Sequence, residues 1–115
     1  MAAAELYRYN RETNGFTAVS QLDNCRAAAG PGETVAIGAS VTRSVTPFPT
    51  GTTAVRLRAT VDCWVEIGPG TPSAVASTSF FLGANEPEYF AANPGDVVAV
   101  LQASAAGFLY ERPVL

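Results

Sequence analysis

Val55-Arg56-Leu57-Arg58-Ala59-Thr60-Val61-Asp62-Cys63-Trp64-Val65-Glu66-Ile67 decides the fold class. Its odd positions are Val, Leu, Ala, Val, Cys, Val and Ile, and its even positions are Arg, Arg, Thr, Asp, Trp and Glu. Strict period-2 alternation predicts a strand with one face in a core and the other toward solvent or a partner. The odd face is the core face. The even face is polar except for Trp64, which lies in phase with the charges. A run of 13 residues exceeds an average strand, so it reads as one bent strand crossing a sandwich corner. Gly68-Pro69-Gly70 ends it with turn chemistry.

Outward from this stretch the pattern stays β. Thr34 to Gly38 and Val41 to Val45 read as short strands. Pro47 to Gly51 reads as a loop, because two prolines and a glycine break any ladder. Phe80-Phe81-Leu82 and Glu88 to Ala91 are short strands separated by Asn85-Glu86-Pro87. Asn93-Pro94-Gly95-Asp96 is a turn, with Pro set for the second position and Gly for positive φ. Val97 to Ala103 reads as a buried strand. Phe108 to Arg112 reads as its hairpin partner across Ser104 to Gly107. Seven or eight short strands with turns about every 8–12 residues predict an all-β, single-domain antiparallel β-sandwich or jelly roll.

Residues 1–33 differ. Tyr7, Tyr9 and Phe16 stand among polar residues with poor periodicity, and residues 1–33 read as an N-terminal arm on a domain of residues 34–115. A short helix from Ser20 to Ala29, capped by Ser20 or Asp23 and stopped at Gly30-Pro31, is one reading of the arm. An extended arm ordering on a partner, or a strand carrying Tyr7 and Tyr9, is the other.

Composition removes most chemistry. The 115 residues include 7 Arg, no Lys, no His and 10 Asp+Glu, for a net charge of −3. Without His there is no Ser-His-Asp triad, Cys-His dyad or imidazole metal ligand, and without Lys there is no phosphate-loop lysine or Schiff base. The acidic balance argues against nucleic-acid binding. No apolar run approaches membrane-spanning length, and no secretory signal is visible. Cys25 and Cys63 are read as free or buried thiols, with a disulfide between them as the alternative.

Carboxylates were the remaining candidates for a site. Glu86 and Glu88, roughly 7 Å apart on one strand face, together with Asp96, have the residue types of a calcium site or a glycosidase pair. Nothing in the sequence suggests a cleft to hold a sugar, so they are read as a solvated loop, and no metal, cofactor or catalytic role is assigned. Asp62 and Glu66 stand on the same face as Arg56 and Arg58, so cross-strand salt bridges are expected. Trp64 is the residue of most interest, because an outward Trp anchors an interface, packs under its own chain or stacks a sugar.

Residues 34–111 carry an ordered series of short motifs: Thr52 to Gly68, then Pro72 to Ser77, Glu88-Tyr89-Phe90, Pro94 to Ser104 and Gly107 to Tyr110. This series resembles a group of small virion proteins of tailed bacteriophages and prophages. The resemblance implies a capsid decoration (cement) protein on the exterior of the virion, made in the host cytoplasm. Its implied partner is the major capsid protein, and its implied assembly a homo-oligomer, with a trimer favoured. The expected interface residues are Tyr7, Tyr9, Phe16, Arg56, Arg58 and Trp64, with no enzyme activity, nucleic acid or membrane. The alternatives are another virion component (head fibre, tail or head–tail joint), separable by copy number, and a host-glycan-binding module, separable by Trp64→Ala.

Overall fold

The alternating stretch breaks once, at Thr60–Asp62, and the break places its halves in different sheets. In the computed structural model, which describes strands Tyr7–Asn10 and Gly15–Ala18 and residues 27–115, the protein is all-β, with no helix among the described residues. In chain order the strands are β1 (Tyr7–Asn10), β2 (Gly15–Ala18), β3 (Glu33–Ile37), β4 (Thr42–Arg43) and β5 (Ala54–Ala59). They continue with β6 (Cys63–Pro69), β7 (Phe80–Leu82), β8 (Glu88–Ala91), β9 (Asp96–Gln102) and β10 (Gly107–Val114). β1 and β2 pair antiparallel with each other. The remaining eight form two antiparallel four-stranded sheets, sheet I in the order β3-β10-β5-β8 and sheet II in the order β4-β9-β6-β7.

The inner faces of both sheets meet in one core. Val35, Ile37, Val55, Leu57, Ala59 and Leu109 come from sheet I; Cys63, Val65, Leu82, Val98 and Val100 come from sheet II. The odd positions of the alternating stretch are therefore inside, as expected, although two strands supply them. Phe48 also enters this core, although its Pro-rich segment reads as a loop. Two hydrogen bonds pin it there, from Phe48 N to Asp96 O and from Gly95 N to Phe48 O.

Three strand assignments need correction. The single bent strand is two strands, because the chain leaves sheet I at Ala59 and enters sheet II at Cys63. β9 and β10 do not form a hairpin: β9 pairs with β4 and β6, and β10 with β3 and β5. Both errors share a cause. A short link does not reveal by its composition whether it returns the chain to its neighbour or carries it across to the facing sheet, and both Thr60-Val61-Asp62 and Ser104-Ala105-Ala106 cross. Here the two crossings brace one another. Thr60 N donates to Phe108 O at 2.9 Å, Phe108 N to Thr60 Oγ1 at 3.0 Å, and Ala103 N to Asp62 O at 3.1 Å. A Cβ at Gly107 would stand 2.5 Å from Thr60 Oγ1 and 2.8 Å from Val61 Cγ2, so this close approach requires glycine. The third correction is Val41 to Val45, where only Thr42–Arg43 forms ladder. Beyond it Ser44 Oγ takes a ladder position, accepting from Val98 N at 3.0 Å.

The turn at residues 93–96 forms as read. Asp96 N donates to Asn93 O at 3.1 Å, Gly95 has φ +89°, and Asp96 Oδ2 accepts from Asn93 N at 3.0 Å. The end of the segment read as an arm already lies on sheet I. Ala28 bridges Val114, Ala29 N donates to Pro113 O and Leu115 N to Ala27 O. Residues 27–29 are thus extended rather than helical, and the rest of the proposed helix, from Ser20 to Arg26, lies outside the described residues.

Candidate functional site

Outward positions decide what this domain presents, and the break at Thr60–Asp62 divides them between two opposite faces. Arg56 and Arg58 project from β5 on the outer face of sheet I. Trp64 projects from β6 on the outer face of sheet II. The sequence placed these three on one surface; the sheet crossing separates them. For the same reason the expected salt bridges do not form. Asp62 Oδ1 accepts from Ala84 N at 2.8 Å, Glu66 Oε1 from Ser79 Oγ at 2.8 Å, and Arg58 Nη2 donates to Asn85 Oδ1 at 3.3 Å.

On sheet II, Trp64 stands opposite Phe81 of β7 and Leu101 of β9. The Trp64 and Phe81 rings meet edge to face, with centroids 5.1 Å apart at 67°, a geometry the ring quadrupoles favour. Phe81 remains 49% exposed. The other end of this face is covered by residues 70–79. Arg43 Nε donates to Pro72 O at 2.5 Å and Ser79 Oγ donates to Glu66, while Pro72 comes within 3.8 Å of a Cβ built at Gly68. That cover explains why Ala99, which faces outward, is fully buried. Trp64 is thus partly packed by its own sheet and partly presented.

On sheet I the register sets Arg112 directly opposite Arg56, and Tyr110 opposite Arg58 on one side and Thr34 on the other. Phe108, opposite Ala36, continues the row. Phe108 is 51% and Tyr110 42% exposed. An open groove of about 240 Å³ runs between Arg56, Arg112, Tyr110 and Thr34, with Gly32, Glu33 and Glu111 completing its lining. Phe81, Phe108, Tyr110 and Arg112 were not singled out from the sequence. Alternation in residues 108–112 was the available signal, but Glu111, in phase with the buried Leu109, obscured it.

Glu111 is the unusual inward residue. It lies between Glu33 of β3 and Leu57 of β5 and is 4% exposed. Burial, and then the neighbouring Glu33 charge, push its carboxyl up from 4.5 to about 7. The Glu33 carboxylate itself accepts from Val45 N at 2.6 Å and Thr46 N at 3.2 Å.

Cys63 is a buried free thiol, which removes the disulfide reading for it; Cys25 lies outside the described residues. Burial, with Asp62 beside it, raises the Cys63 thiol to about 11, so almost no thiolate forms near neutrality. Peptide-resolved alkylation at pH 8 should therefore leave Cys63 unmodified in the folded protein and label it after unfolding. Labelling of folded Cys63 at the rate of a small-molecule thiol would show that this core position is open.

Tyr7 and Tyr9 lie on β1 and Phe16 on β2, with Tyr9 and Phe16 directly paired. The reading of a short strand carrying Tyr7 and Tyr9 is therefore the one the described part of residues 1–33 shows, and Ser20 to Arg26 of the helix reading lie outside the described residues. The carboxylates Glu86, Glu88 and Asp96 do not gather: no group of three or more Asp, Glu or Cys among the described residues has the spacing of a metal site. No described helix is long and apolar enough to cross a membrane. Comparison with protein-family models, curated proteins and solved structures gave no match to this chain.

Proposed function

We propose that this protein is a bacteriophage capsid decoration protein, which binds the outer surface of the major capsid shell as a symmetric oligomer, a trimer being favoured. The observation that carries the reading is the pair of opposite outward faces, each with large aromatic side chains left exposed on a rigid sheet. A decoration protein needs two such contact surfaces, one for the shell and one for its own copies, and each patch recurs on every subunit of a cyclic assembly. Aromatic and arginine side chains are those that interface centres collect. The motif series over residues 34–111 supports the same reading. So does the strand order, β3-β10-β5-β8 against β4-β9-β6-β7, which we read as a jelly roll, an architecture used among viral capsid domains. Architecture alone does not fix function, so the weight rests on the faces.

The reading is tested on particles of the encoding phage assembled without this protein. Purified full-length protein added back should bind them saturably and raise the temperature at which they release their genome. Particles that neither take up the protein nor differ in heat resistance from complete ones would refute the reading. Trp64→Ala should weaken self-association without unfolding the monomer, as followed by sedimentation.

A further inference from the structure

We infer that the outer face of sheet I is a docking surface for a protein partner that presents clustered carboxylates. Three of the chain's seven arginines, Arg56, Arg58 and Arg112, project from two adjacent strands of a protein whose net charge is −3. No Asp or Glu shares the outward register of β3, β10 and β5. Glu33 and Glu111 belong to these strands but alternate with the outward set; Glu33 is engaged by two backbone amides and Glu111 is buried. Arg56 and Arg112 are direct cross-strand partners, a like-charge pairing that works against the isolated sheet. Among the described residues neither forms an ion pair.

A carboxylate seated between them reverses that repulsion. The guanidinium of Arg112 is already positioned, since its Nε donates to Gly30 O at 2.9 Å, and the remaining N–H groups of each fork suit a carboxylate. The groove between Arg56, Arg112, Tyr110 and Thr34 supplies the space. Phe108 and Tyr110 add exposed aromatic area beside the charges, and aromatic and arginine side chains together mark the energetic centres of protein interfaces. Three cations on a chain of net negative charge do not make the extended basic track that a nucleic-acid backbone requires. The observations therefore favour an acidic protein surface. In the decoration reading this face would turn toward the shell; that placement rests on the reading, whereas the chemistry of the face does not.

The test is a titration of the isotope-labelled full chain with poly-L-glutamate, followed by amide chemical shifts. Shifts should concentrate at Arg56, Arg58, Tyr110 and Arg112 and fade as ionic strength rises to about 0.5 M. Arg56→Glu should weaken binding by about tenfold or more, with the melting temperature little changed, because a charge-assisted contact is replaced by repulsion. Arg56 is the residue to change, since Arg112 and Arg58 also hold Gly30 and Asn85. Shifts confined to the sheet II face, no shifts at all, unchanged binding by Arg56→Glu, or tighter binding of duplex DNA to the same residues would each overturn the inference. If poly-L-glutamate binds as expected while the wild-type protein ignores capsids, the docking surface stands and the decoration reading fails. If the wild type and Arg56→Glu coat capsids equally, the shell contact is not on sheet I and the inference fails in that setting.

Discussion

Leu57→Ala should lower the stability of the domain by about 2–5 kcal/mol, whereas Arg58→Ala, one residue along the same strand, should cost less than about 1 kcal/mol. Leu57 is fully buried and belongs to the cluster that joins the two sheets. Its strand is held on both sides, by β10 and β8, so the backbone has little freedom to collapse into the space left behind. The removed atoms then lose their burial and the walls of the cavity lose their contacts. Arg58 is exposed, and the one hydrogen bond its side chain makes among the described residues is the 3.3 Å contact to Asn85. Urea unfolding of both variants measures the contrast directly. A neutral Leu57→Ala with an unfolded Arg58→Ala would mean that β5 faces the other way.

Glu111→Gln should stabilise the fold above pH 7 and leave it nearly unchanged below pH 4.5. The carboxyl titrates at about 7 in the fold against an ordinary 4.5. Between those values the folded protein holds a proton that the unfolded chain has released, so stability falls as pH rises through the window. At about 1.4 kcal/mol per unit, the ionised form costs the fold up to about 3 kcal/mol at high pH. Glutamine keeps the shape of the protonated acid and cannot ionise. The difference between variant and wild type should therefore be near zero at acid pH, grow from pH 4.5 to 7, and then level off. Thermal melts of both proteins across that range measure it. A difference that does not change with pH would show that Glu111 ionises freely in the fold. Because Leu57 and Glu111 are direct cross-strand neighbours, the effects of Leu57→Ala and Glu111→Gln are not expected to add.

The all-β class was legible in the alternation of residues 55–67, and the core face was assigned correctly at Val55, Leu57, Ala59, Cys63 and Val65, with Val61 and Ile67 partly buried against the core. What the alternation did not carry was a change of sheet. Side chains keep the same inward phase when a chain crosses from one layer of a two-layer fold to the other, so Thr60–Asp62 left no mark in the pattern. That one missed crossing misplaced the candidate site, because it joined Trp64 to Arg56 and Arg58 on a face they do not share. The residue types were informative even so. Trp64 and the two arginines are all presented at the surface, and two of the three have aromatic company from a neighbouring strand: Phe81 for Trp64 and Tyr110 for Arg58. Those companions become visible only with the register of β7 and β10, which depends on which strands pair. Phe48 escaped for another reason. Its flanking prolines mark a loop correctly, but they do not indicate that the loop folds inward.

Copy number in the purified virion tests the central claim most directly. Quantitative mass spectrometry of particles from the encoding phage should find this protein in amounts comparable with the major capsid protein, as a lattice-wide contact requires. A few copies per particle would assign it to the tail or its junction, and absence from the particle would contradict any role in the virion.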